Sequence, residues 1–119
     1  KALFGTTAVF ETPKPVRLIR RLLQVSADKD AMVLDFFAGS GTTGHAVMRQ
    51  NAEDGGHRSC VLVQLDEPID GRRKPEVARE FGTIAEVTRQ RVRRAGEALR
   101  AEFPALDQGL TRFTEVRIE

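Results

Sequence analysis

Met32-Val33-Leu34-Asp35-Phe36-Phe37-Ala38-Gly39-Ser40-Gly41-Thr42-Thr43-Gly44 is the stretch on which the fold turns. Met32 to Phe37 is a nearly unbroken apolar run with one acid, the pattern of a parallel strand covered on both faces. Ala38-Gly39-Ser40-Gly41 then breaks the strand, since glycine reaches backbone conformations that other residues avoid. Thr42 or Thr43 opens a helix to about Gln50. Strand, tight turn and helix start, in that order, leave main-chain N–H groups free to meet an anionic or electron-rich ligand.

Outward from this turn, helix and strand patterns alternate. Pro13 and Pro15 disfavour helix before them, so Val9 to Pro15 reads as extended. Leu18, Ile19, Leu22 and Leu23 then mark the buried face of a helix over about 15–25. Ser59 to Leu65 is a second apolar strand, reached through a loop at Asp54-Gly55-Gly56. The segment 66–82 is a connection with room for a short helical turn. A long helix over about 83–102 carries Ile84, Val87, Val92, Ala95 and Leu99 as its buried stripe. Leu110 to Ile118 alternates like an edge strand. The order predicts an α/β fold, a mostly parallel sheet with flanking helices.

Three ligand classes use such a glycine turn. A phosphate-binding P-loop needs a lysine and a hydroxyl after its last glycine, and His45-Ala46 stand there instead. Gly39, Gly41 and Gly44 do satisfy the G-x-G-x-x-G spacing of a dinucleotide site. Asp35 at the strand end would repel a pyrophosphate, yet it suits the α-ammonium of S-adenosylmethionine, which carries no phosphate. A tight turn with no ligand is the plainer alternative. In such folds an acid about 20 residues past the glycines bonds a ribose. Gln64 lies 25 residues after Gly39, with Asp66 and Glu67 just beyond, and which of the three reaches a ribose stays open.

Thr12-Pro13-Lys14-Pro15 followed by Asp35-Phe36-Phe37-Ala38-Gly39-Ser40-Gly41-Thr42-Thr43 resembles the C-terminal, cofactor-binding part of DNA amino-methyltransferases. More narrowly, the chain is similar to modification subunits of type III restriction-modification systems, through Asn51–Gly56, Val61–Leu65, Thr83–Glu86 and Arg91–Gly96. The resemblance covers about Phe10–Ile118 and implies a partial Rossmann-like fold that binds S-adenosylmethionine. It implies that Lys14 and Pro15 flank the methionine end and that Asp35 bonds the α-ammonium. Phe37, Gly39, Ser40 and Gly41 then wall the cofactor, Thr42 and Thr43 cap the helix and reach its carboxylate, and Gln64 meets the ribose. The implied partners are DNA, a second copy of the full-length protein and a restriction subunit.

The amino group of a nucleobase is conjugated with its ring and is a poor nucleophile. The resembled family meets this with an Asp- or Asn-Pro-Pro-Tyr turn whose ring stacks on a flipped base. This chain has no tyrosine and no Pro-Pro pair. It also starts at Lys1 rather than methionine, so we expect it to be a piece of a longer adenine-specific enzyme whose catalytic turn lies upstream. No catalytic residue is assigned within it.

The 119 residues and 13.2 kDa fit one domain over 1–119, an extended lead-in over 1–11 and a core over 12–119. With 40% hydrophobic residues the composition opposes a disordered tail, and no apolar run approaches a membrane span. A single cysteine, Cys60, fits a reducing cytoplasm, and no His/Cys spacing implies a metal. Charge is uneven: −1 over residues 1–71, +5 over 72–100 and −2 over 101–119. Arg89, Arg91, Arg93, Arg94 and Arg100 make one helix basic, a candidate phosphate-contact stripe led by Arg93 and Arg94, or simply a solvated face. Against the methyltransferase reading stand an NAD-type oxidoreductase domain using the three glycines, and a non-enzymatic nucleic-acid or assembly module using the stripe.

Overall fold

The computed structural model describes residues 15–118, so the lead-in and Lys14 lie outside the described residues. Pro15, in an extended conformation that a helix cannot continue backwards through, caps helix α1 (Val16–Ser26). Strand β1 (Met32–Asp35), helix α2 (Thr42–Asp54) and strand β2 (Ser59–Leu62) follow. Helices α3 (Pro75–Phe81) and α4 (Ile84–Glu102) and a 3₁₀ turn over Gln108–Thr111 complete the order.

β1 and β2 pair in parallel, with Val33 opposite Cys60 and Asp35 opposite Leu62. Parallel neighbours need a crossover, and α2 supplies it. Side chains alternate along a strand, so Val33, Cys60 and Leu62 share one face. On that face Leu23 of α1 and Ala46 and Val47 of α2 pack with Val33 and Cys60. Met48 of α2 and Val92, Ala95 and Leu99 of α4 form a second cluster against Leu62. α2 therefore lies between α1 and α4 in one layer of helices over one two-stranded sheet. α3 adds a small cluster of its own, Val77 and Phe81 against Val87 of α4.

Two expectations are corrected. The strands are not covered on both faces: Met32 is 74% exposed, and Leu34, Val61 and Val63 also face outward. α1, α2 and α4 all pack on the other side, so alternate apolar residues find no cover among the described residues. Leu110 to Ile118 is not a strand either. Its start coils into the 3₁₀ turn, where Thr111 is buried against Gly96 of α4 and accepts from Arg100 at 2.7 Å. Anchoring on a helix takes this segment away from the sheet edge, and Val116 and Ile118 are left exposed.

The long helix agrees with its sequence pattern. Thr83 caps it by accepting the Glu86 N–H, and Val87, Val92, Ala95 and Leu99 are buried as their spacing predicts. The connection before it holds α3, begun by Pro75 at its first turn, where a missing N–H costs nothing. Among the described residues no helix is long and apolar enough to cross a membrane.

Candidate functional site

The parallel pairing continues past the strands and shapes the glycine turn. Val63 donates to the Asp35 carbonyl at 2.8 Å, and Ala38 donates to the Val63 carbonyl at 3.1 Å. Asp35 then ties the strand end to the next helix: one carboxylate oxygen accepts the Phe37 N–H at 3.0 Å and the other accepts the Thr43 hydroxyl at 2.6 Å. Gln64 Oε1 accepts the Gly39 N–H at 2.7 Å, while its amide nitrogen donates to the Leu65 carbonyl at 3.1 Å. Asp35, Phe37, Gly39, Thr43 and Gln64 thus form one hydrogen-bonded unit.

Gly41 takes φ +83°, the left-handed region that favours glycine, and it is the N-cap of α2. This corrects the expected caps: neither Thr42 nor Thr43 caps the helix. The Thr42 hydroxyl instead pairs with that of Ser40 at 3.0 Å, both side chains being buried. Thr43 is spent on Asp35. The first N–H groups of α2 are left over by the helix ladder itself.

α4 adds a contribution to the turn that no local sequence pattern signals. The Thr88 hydroxyl donates to the Gly39 carbonyl, and a Cβ at Gly41 would lie 3.2 Å from the Thr88 carbonyl oxygen. Arg91, one turn on, reaches Ser40 Oγ at 3.4 Å and His45 Nδ1 at 3.3 Å. Burial, then the nearby cations of Arg91 and Arg49, push the His45 pKa down to about 4. The ring is neutral at pH 7, so Nδ1 can accept from Arg91. Thr88 and Arg91 stand three apart in a helix whose pattern was legible, but no local signal says which turn that helix lies against.

Other predicted residues lie elsewhere. Pro15 starts α1 and lines an open groove with Arg17, Leu18 and Arg21, none of them a turn residue. Asp66 and Glu67 are exposed beyond β2. The basic stripe divides three ways: Arg91 points to the turn, Arg94 pairs with Glu80 of α3 at 3.7 Å, and Arg93 is exposed. Cys60 is partly buried in the α1–α2 cluster, and burial raises its thiol pKa to about 11. Phe37 is 89% exposed, a bare ring beside the turn.

A glycine turn at the carboxyl end of paired parallel strands is the place where open α/β sheets take their ligands. A family model described as DNA methylase matches residues 3–68, more than half of this chain. The chain belongs to that DNA methylase family. It is 44% identical over 108 residues to the type III restriction-modification enzyme StyLTI Mod subunit of Salmonella typhimurium, covering 91% of this chain and 16% of that protein. The EcoPI Mod subunit of Escherichia phage P1 is 44% identical over 77% of this chain and 14% of its own length. The type II methyltransferase M.KpnI of Klebsiella pneumoniae is 40% identical over 76% of this chain and 21% of its own length. The chain therefore spans between 14% and 21% of these relatives. Membership in a DNA methylase family implies a methyl donor, which favours that reading of the turn over the dinucleotide one.

Proposed function

We propose that this chain is the cofactor-binding portion of a site-specific DNA methyltransferase with a Rossmann-like core, acting on the exocyclic amine of adenine. S-adenosylmethionine, when bound, supplies an electrophilic methyl group. The observation that carries the reading is Asp35, held at the strand end by the Phe37 N–H and the Thr43 hydroxyl. A carboxylate offers about four acceptor sites. Only two are taken by those bonds, so Asp35 can also accept from the α-ammonium while opposing any pyrophosphate.

The remaining residues fit the same group. The bare Phe37 ring offers an apolar wall for an adenine. The leading N–H groups of α2, at Thr42 and Thr43, suit the donor's carboxylate. Gly39, Ser40 and Gly41 bring backbone close to the ligand, and Gln64 supplies an amide toward the ribose while bracing Gly39. Lys14 and Pro15 flank the methionine end in this reading. The catalytic turn comes from elsewhere in the parent protein, because this sequence has neither a tyrosine nor a Pro-Pro pair. Its relatives' names support DNA as substrate and a restriction subunit as partner; in this reading the full-length protein also pairs with a second copy and works in the cytoplasm.

Calorimetry with S-adenosylhomocysteine tests the proposal. We expect measurable binding, no binding of NAD, and an affinity loss of about tenfold or more in Asp35→Asn, as for a hydrogen bond to a charged group. Binding of NAD without S-adenosylhomocysteine would overturn it. We also expect no methyl transfer to DNA by the purified chain alone, and transfer would refute the assignment of catalysis to other parts.

A further inference from the structure

We propose that the groove between α4 and the segment after the 3₁₀ turn is a docking site for the phosphate backbone of duplex DNA. The groove is open, about 500 Å³, and lies on a different surface from the glycine turn. Arg89, Arg93, Arg100 and Arg112 line it, with Phe113 and Glu115 on its other wall. On a helix, positions 89, 93 and 100 fall within a narrow angular range, so three of these cations share one face.

Gly96 lies on that same face and creates the groove. A Cβ there would lie 3.0 Å from the Thr111 carbonyl oxygen, so only glycine lets the following segment cross α4 this closely. The crossing leaves Arg93 on one side of Gly96 and Arg100 on the other. Arg100 donates to Thr111, and Arg112 reaches Gln108 only at 3.5 Å. Arg93 is exposed and makes no hydrogen bond or ion pair with a described residue.

Spacing argues for a polyanion. From Arg89 to Arg100 the helix advances about 16 Å at 1.5 Å per residue. One DNA strand presents a charge about every 3.4 Å along the duplex axis, so the row spans several phosphates. An isolated phosphate would meet only part of it. Within the groove the Glu115 carboxylate pairs with Arg89, which also pairs with Glu86 of α4, and, at 3.2 Å, with Arg117. Glu115 is an internal substitute for a phosphate, which the duplex displaces. The choice of DNA as the polyanion rests on the methyltransferase reading; the anionic character of the ligand does not.

The test is anisotropy of a labelled duplex of arbitrary sequence, titrated with the whole chain across a salt series. For Arg93→Ala/Arg112→Ala we expect weaker binding and a salt slope smaller by about one to two, near 0.9 per lost phosphate contact. Glu115→Gln should tighten binding at low salt. The control Arg17→Ala/Arg21→Ala, on the exposed side of α1, should leave the slope unchanged. An unchanged slope in the groove variant, or an equal drop in the control, refutes the site. Displacement of the duplex by inorganic phosphate beyond that by chloride of equal ionic strength would make it a single-phosphate site and refute the DNA assignment. S-adenosylhomocysteine affinity is measured in parallel on the same variants, with circular dichroism to confirm folding. Its absence in the unaltered chain would defeat the cofactor reading while leaving the salt slopes to judge the groove.

Discussion

Replacing Gly41 with alanine separates two costs that a glycine turn combines. Gly41 has φ +83° and ψ +20°, so any L side chain there is strained, by about 1–2 kcal/mol. The new Cβ would also sit 3.2 Å from the Thr88 carbonyl oxygen and 3.3 Å from Val92 Cγ2. The first is main chain of α4, which cannot yield without moving the helix, so crowding adds about 1–3 kcal/mol. Reduced freedom of the unfolded chain returns about 0.4–1 kcal/mol. The net expected loss is about 1–5 kcal/mol.

Gly55 provides the internal control. It ends α2 with φ +68°, yet a Cβ there meets nothing within 4 Å. Gly55→Ala therefore carries the conformational cost without the crowding, and should lose about 0–2 kcal/mol after the unfolded-state term. Urea unfolding at constant m-value reads both variants. Gly41→Ala should fall below Gly55→Ala by about 1–3 kcal/mol, the crowding component alone. Equal losses would show that α4 does not press on the turn, and the account of Thr88 as its brace would fail.

Thr88→Val keeps the side-chain shape but removes the donor to the Gly39 carbonyl. It should cost about 1–3 kcal/mol in urea unfolding, with Thr88→Ser recovering most of the loss; equal losses in the two variants would exclude the hydrogen bond. Acid should also weaken the fold through His45. Its pKa is about 4 when folded against an ordinary 6.5, so the unfolded chain takes up the proton first. The stability that depends on neutral His45 is present above about pH 6.5 and is lost as pH falls toward 4. His45→Gln should flatten this part of the urea midpoint against pH curve, and an unaltered curve would dismiss the buried imidazole as its source.

Much of the site was legible because its chemistry is local. Asp35, Phe37, Gly39 and Thr43 lie within nine consecutive residues, and a strand end, a turn and a helix start are written in short-range patterns. Gln64 was also located, and the structure adds that its side-chain oxygen braces the Gly39 N–H. The threonines were misjudged as caps for a physical reason. A glycine in the left-handed region begins α2, and that frees the Thr43 hydroxyl for Asp35 and the Thr42 hydroxyl for Ser40.

By itself the sequence determined the order of helices and strands as far as the long helix, the parallel pairing and the place of the glycine turn, since period and turn chemistry act over a few residues. It also carried the family likeness, which lies in contiguous motifs. Tertiary structure alone decided which surfaces meet. Packing put α1, α2 and α4 on one face of the sheet and left Met32 and Leu34 bare. It laid α4 against the turn through Thr88 and Arg91, and it drew the segment after Thr111 across Gly96 instead of onto a strand edge. Those outcomes depend on contacts between residues far apart in the chain, where close approach and burial, not local pattern, set the energy.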